Sequence, residues 1–254
     1  MKHNIIAVLL VALFSTTSCQ AQTQQRVNAT TVSFLIDLTD PVIYTEIRSD
    51  LEENLNTFFT NAGLSSIKFG QKLSVRMGAI DESGKLTFRT SSIALLDKTV
   101  SKKTAKKQSD PRPLVQLIAS ELDRYQKISE QKNESSLILE TILKSFRELD
   151  SNSREIVVIE TDGIEHSQYS NFYKAIPTTE QNIDKLLSNL DPLLLEEART
   201  KITEVAPEIV FVLKSNPKVK TADLKMFYSI FLTRIGVNPH NIRFIDNLSN
   251  NTNL

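Results

Sequence analysis

The chain reads as an α/β domain, doubly wound, with a mostly parallel central sheet, one antiparallel strand and helices on both faces. Three features lead there. Short β-branched, apolar segments run without polar alternation, as strands buried on both faces do. Segments with helical apolar spacing separate them. No stretch repeats at a period of 20 to 50 residues, and no Gly/Pro-rich linker divides the chain.

The first strand is Thr31-Val32-Ser33-Phe34-Leu35-Ile36. Asp40-Pro41 then starts a helix, with Asp as N-cap and Pro at the first helical position. Ile43, Ile47, Leu51, Leu55 and Phe58 carry that helix to about Asn61. Strands are expected at 72–80 and 85–93, joined as a hairpin through Asp81-Glu82-Ser83-Gly84. The polar stretch 97–112 holds Lys98, Lys102, Lys103, Lys106 and Lys107 and reads as a solvated loop, with an anion-binding patch as the alternative. Without interleaved aromatics to stack on bases, it does not read as a nucleic-acid surface.

Helices follow at 114–128 and 137–149. Ile156-Val157-Val158-Ile159 is the next central strand, ending in Glu160-Thr161-Asp162-Gly163. The segment 179–202 is helical, interrupted near Asp191-Pro192. Ile209-Val210-Phe211-Val212-Leu213 forms a third buried strand, 222–235 a helix, and 242–245 a last short strand. One domain over residues 28–250 accommodates these elements.

Composition narrows the chemistry. The 254 residues are 40% hydrophobic and 24% charged, a globular balance with ample length for a full core. Basic and acidic residues number 30 each and the isoelectric point is near 6.9, so no global field attracts nucleic acid. One Cys excludes a disulfide framework, a Cys-rich zinc site and an iron–sulfur cluster. No P-loop, dinucleotide-binding or Gly-x-Ser-x-Gly motif occurs.

The start of the chain reads as an address. Lys2 precedes the apolar run Ile5 to Phe14, too short to span a bilayer and suited to the core of a secretory signal. Ser15-Thr16-Thr17-Ser18 leads to Cys19, the only Cys. This arrangement resembles a bacterial lipoprotein signal, in which the Cys takes the lipid and becomes the mature N-terminus. Cleavage after Ala21, discarding Cys19, is the alternative. The expected organisation is a signal peptide over 1–18, a tether over 19–27 and the domain beyond. Residues 1–18 contain one basic residue and no acid, so the mature chain carries 29 basic and 30 acidic residues, a net charge of −1. The expected location is the cell envelope, held to the outer membrane by its lipid and facing the periplasm.

Polar residues gather where strands end. Asp37-Leu38-Thr39-Asp40 follows the first strand, Thr161-Asp162-Gly163 follows the fourth, and Asn133-Glu134-Ser135-Ser136 precedes a helix. In an open parallel sheet the ligand crevice lies at the carboxyl ends of the strands. Oxygen-only ligands from three loops are what a hard cation such as Mg²⁺ accepts.

These segments, in this order, resemble the von Willebrand factor type A family with its metal-ion-dependent adhesion site. That family ends its first strand in Asp-x-Ser/Thr-x-Ser, and Asp37 and Thr39 match its first two positions. Ser136 heads Ser136-Leu137-Ile138-Leu139-Glu140-Thr141-Ile142, similar to the family's Thr-Pro-Ile-x-x-Ala-Leu stretch, and Asp162-Gly163 matches its last element. The resemblance implies Mg²⁺ held by Asp37, Thr39, Ser136 and Asp162. It also implies recognition of a protein partner through a carboxylate. Pro41 departs from the pattern, standing where the third hydroxyl belongs.

The resulting expectation is a non-enzymatic, lipid-anchored binding module for an unidentified protein partner. Two alternatives stand beside it: a Mg²⁺-dependent phosphohydrolase using Asp37, Asp40 and Asp162, and a structural domain with an empty site. A phosphohydrolase typically carries a second Asp two residues after the first, and Thr39 occupies that place. His166 lies near the proposed crevice and reads as a surface-loop histidine, with Glu165, Ser167 and Tyr169 as rim residues.

Overall fold

The computed structural model describes residues 28–65, 67–95, 101–131 and 135–250. The expected signal, tether and lipidated Cys19 lie outside the described residues, as do Asn133 and Glu134. The element order is β1 (Asn28–Asp37), α1 (Pro41–Asn61), β2 (Gln71–Ile80), β3 (Arg89–Leu95), α2 (Lys102–Gln108), α3 (Arg112–Ser129) and α4 (Ile138–Arg147). It continues with β4 (Ser153–Thr161), α5 (Glu180–Leu187), α6 (Pro192–Val205), β5 (Glu208–Leu213), α7 (Thr221–Arg234) and β6 (Ile242–Ile245).

The six strands form one sheet in the order β3-β2-β1-β4-β5-β6. Every neighbouring pair is parallel except β2 with β3. This is the doubly wound α/β architecture expected from the sequence. The order reverses direction on either side of β1, which places the crevice at the carboxyl ends of β1 and β4.

Strand periodicity assigns the two faces. Leu35, Val157, Ile159, Ile209 and Phe211 join one core, covered by α4, α5, α6 and α7. Phe34, Ile36, Ile156, Val158, Val210 and Val212 join the other, under α1 and α3. Both cores are aromatic-rich. Phe172 meets Phe227 edge-on at 4.7 Å in the first, and Phe34 meets Phe58 at 5.8 Å in the second.

Two expectations need correction. The strand expected at 85–93 begins only at Arg89, because the ladder with β2 stops at the Met77–Arg89 pair. Beyond that pair Leu86 and Phe88 lie over Gly78. A Cβ there would meet Leu86 Cδ1 at 2.7 Å and Phe88 Cε1 at 2.9 Å, so these side chains occupy space that only glycine leaves. The second correction concerns the lysine-rich stretch. Within it Lys102–Gln108 is a helix, started by Ser101, whose Oγ accepts from the Thr104 N–H at 3.3 Å. Lys106 and Lys107 sit in its last turn, where positive charge suits the helix dipole.

Asp40 caps α1 as expected, its Oδ1 accepting from the N–H groups of Val42 at 2.8 Å and Ile43 at 3.4 Å. The break near Asp191-Pro192 is also present: α5 ends at Leu187, and Asp191 caps a new helix at Pro192. Among the described residues no helix is long and apolar enough to cross a membrane.

One polar cluster sits inside the second core. Glu160 and Lys214 point to the face that α1 covers. Lys214 Nζ is 2.5 Å from Asp50 Oδ2 on α1 and 3.8 Å from Glu160 Oε2. The Leu248 N–H donates to both Asp50 oxygens, at 3.1 and 3.3 Å. Two buried carboxyls face one ammonium, Asp50 at close range and Glu160 further off, and burial holds the Glu160 carboxyl well above its ordinary pKa.

Candidate functional site

The site begins with register. Ile36 pairs with Glu160, so Asp37 and Thr161 fall side by side one step further, where β1 and β4 leave the sheet. Thr161 Oγ1 donates to Asp37 Oδ2 at 2.5 Å. The other carboxylate oxygen accepts from the Thr39 N–H at 3.0 Å and the Thr39 hydroxyl at 2.6 Å. Asp37 is thereby held by three donors from two strand ends, while only 1% exposed.

Ser136 reaches the same place from the loop before α4. Its Oγ lies 3.4 Å from Thr39 Oγ1, across 97 residues of sequence. The loop is pinned by a two-bond bridge with the segment after β4: the Ser136 N–H donates to His166 O at 2.9 Å, and the His166 N–H donates back at 3.1 Å. This explains why Ser136 is buried although it belongs to no strand or helix.

Asp162 is oriented from both sides. Its Oδ1 accepts from the Ile164 N–H at 2.9 Å, and its Oδ2 from Asn216 Nδ2 at 2.8 Å. Gly163 follows in a left-handed conformation, φ +76°. A Cβ there would meet Leu213 Cδ2 at 3.1 Å and Tyr228 Cε2 at 3.2 Å, so both backbone and space call for glycine. Tyr228 donates its hydroxyl to Gly163 O at 3.0 Å, fixing the turn from α7.

The sequence reading groups Asp37, Thr39, Ser136 and Asp162, and the structure brings Thr39, Ser136 and Asp162 to one cleft, with Asp37 buried against Thr39 behind it. Thr39, Asp40, Ser136, Asp162, His166 and Tyr173 line a cleft of about 190 Å³ there. Asp40 therefore both caps α1 and faces the cleft. Glu165 is corrected: it is fully buried, not a rim residue, and its Oε2 accepts from the Leu139 N–H at 2.9 Å at the start of α4.

Residues missed in the sequence complete the setting. Thr161 and Asn216 orient the two aspartates. Tyr173 forms an exposed ridge, with the His166 ring 5.9 Å away and Lys218 Nζ 5.3 Å over its face. Only Thr161 carried a signal, as a hydroxyl beside a strand-end Asp.

The electrostatics follow from burial. Desolvation raises the Asp37 carboxyl above its ordinary value. Asp162 is pushed up to about 7, first by burial and then by the Asp37 charge. Burial also lifts Glu165 to about 7. Carboxylates that raise one another gain from a positive charge between them. Hydroxyls of Thr39 and Ser136 with carboxylates of Asp37 and Asp162 make an oxygen-only donor set, the chemistry a hard divalent cation takes. Among the described residues, no three His, Cys, Asp or Glu side chains form a metal cluster, so a cation here would need the hydroxyls.

No family model matches the chain, and no curated protein matches it. Among solved structures, the human COPII-coat protein Sec24c aligns over 85% of this chain and 29% of that one. Its TM-score is 0.45 and its sequence identity 10%. Proximal thread matrix protein 1 from the mussel byssus aligns over 89% of this chain and 46% of its own, with TM-score 0.35 and 12% identity. The chain thus spans less than half the length of either protein. Neither likeness bears on function.

Proposed function

We propose that this chain is a non-enzymatic, lipid-anchored envelope protein. Its von Willebrand A-like domain binds a protein partner through the rim of Asp37, Thr39, Ser136 and Asp162, with Mg²⁺ as the bridging ion. The observation that carries the reading is the meeting of Thr39 and Ser136 oxygens at 3.4 Å, beside two buried aspartates, Asp37 from the end of β1 and Asp162 from the end of β4. The strand order, with its switch point at β1, supports the family resemblance. Thr39 and Ser136 would hold the ion, and Asp37 and Asp162 would balance its charge. A cation held largely by neutral hydroxyls keeps its attraction for a carboxylate on the partner, which is what the ion supplies. The exposed Tyr173 beside the cleft offers the partner a large, rigid contact.

Titration calorimetry with Mg²⁺ and Mn²⁺ tests the ion, comparing the natural chain with Asp37→Ala. Saturable binding lost in the variant supports the proposal, and equal binding in both overturns it. Affinity capture from envelope extracts with and without chelator then tests the partner, which should be released by chelation. Turnover of generic phosphate esters with either metal would instead establish the phosphohydrolase.

One observation favours a second reading, a structural domain with an empty site. Every carboxylate oxygen of Asp37 and Asp162 already accepts a hydrogen bond from the protein, and Pro41 supplies no third hydroxyl. Absence of heat on titration with either metal would establish it.

A further inference from the structure

The lysine cluster of α2 is a face, not a scatter. At about 100° per residue, Lys102, Lys103, Lys106 and Lys107 fall within an arc of about 140°. Ala105 lies on the opposite side and is half-buried against the protein, whereas all four lysines are exposed. Among the described residues none of the four has a carboxylate in salt-bridge range, while Asp110 close by is engaged by Arg112. Arg112, Lys103, Lys106 and Lys107 also line an open hollow of about 610 Å³ beside the helix. Exposed Lys68 and Lys72 add positive charge near the start of β2.

The location gives this face its meaning. β3 runs antiparallel to β1 and ends at Leu95, so α2 follows at the edge where β1 begins. The Asn28 N–H donates to Gly70 O at 3.0 Å, and the Gly70 N–H donates to Leu95 O at 2.7 Å, tying the start of β1 to the end of β3 through the residue before β2. Asn28 lies nine positions after Cys19, a stretch that spans at most about 30 Å. The candidate site lies at the other edge, ten strand residues up β1, or about 33 Å away.

From this arrangement we infer that the Lys102–Lys107 face docks on anionic phospholipid headgroups of the leaflet that carries the anchor. The contact stands the sheet on its lower edge and presents the Asp37–Ser136 rim away from the membrane. The orientation rests on the lipid-anchor reading of Cys19; the attraction itself rests only on the described lysines. A net charge near zero makes this local, since the chain as a whole offers an anionic surface nothing.

The test uses the full chain purified from the envelope of the cells that make it. Its binding is measured on vesicles of phosphatidylcholine alone and of phosphatidylcholine with phosphatidylglycerol. The acyl anchor contributes alike to both. We expect at least about a tenfold preference for the anionic vesicles at about 0.1 M salt. That preference should vanish near 1 M, where the screening length falls to about 3 Å.

Lys102→Gln, Lys103→Gln, Lys106→Gln and Lys107→Gln together should abolish the preference with unchanged circular dichroism. The pair Lys218→Gln and Lys220→Gln, at the far edge, should leave most of it. Equal binding to both vesicle types overturns the inference, as does a preference that survives the quadruple variant. Lysine-dependent capture on immobilised polyglutamate without any vesicle preference overturns it in favour of an acidic protein. Intact-mass measurement reads acylation of Cys19 separately, so loss of the anchor reading and loss of the lysine face are distinguishable.

Discussion

Thr161 donates its hydroxyl to Asp37 at 2.5 Å across 124 residues, and the same oxygen accepts from the Gly163 N–H at 2.8 Å. One side chain thus holds the end of β1 and the turn after β4 in fixed relation. Thr161→Val keeps the shape and removes both functions. It leaves a buried carboxylate oxygen short of a donor, which costs about 1–3 kcal/mol. Urea denaturation should show a lower midpoint with an unchanged slope, and an unchanged midpoint would count against this role.

Gly163 makes a sharper demand. Gly163→Ala places a Cβ in a left-handed residue and against Leu213 and Tyr228. Strain alone costs about 1–2 kcal/mol. The crowding should also displace the neighbouring Asp162. Any metal response of the natural chain should weaken in this variant beyond what its lower melting temperature explains, as read by titration well below that temperature.

The buried Lys214 is expected to matter far more than the acid beside it. Lys214→Met strands Asp50 as an unpaired interior charge, at a cost of about 3–5 kcal/mol. Glu160, already held toward its protonated form, accepts no hydrogen bond among the described residues. Glu160→Gln should therefore change the urea midpoint little. Comparable losses for the two variants would mean that Glu160 is ionised in the fold.

The pH dependence has a definite sign. Asp162, Glu165 and Glu155 are each raised to about 7 by burial, whereas unfolded carboxyls titrate near 4. Between about pH 4 and 7 the folded chain keeps protons that the unfolded chain releases, so stability falls as pH rises through that window. In chelator, the urea midpoint should be higher at pH 5 than at pH 8. Under the proposed function Mg²⁺ recovers part of the loss at pH 8, through Asp162, while Glu155 at the far end of β4 stays unaffected. A midpoint flat with pH would show that these carboxyls ionise freely in the fold.

Local sequence settled most of the elements and a sheet buried on both faces, but not the start of β3 or the helix Lys102–Gln108. Continuous apolar strands such as Phe34-Leu35-Ile36 and the Asp-Pro pairs at 40–41 and 191–192 depend only on near neighbours, so propensity and capping chemistry sufficed for them. Strand-end aspartates with adjacent hydroxyls singled out Asp37, Thr39 and Asp162, whereas Ser136 and the ligand role of all four came from the family resemblance. What needed the folded chain was everything joining residues far apart: the Thr161–Asp37 and Asn216–Asp162 bonds, the burial of Glu165, the Lys214–Asp50 pair, and the return of β3 that brings the lysine helix to the edge where β1 begins. Register and topology decide such contacts, because a hydrogen bond across more than fifty residues leaves no periodic trace in the residues that make it.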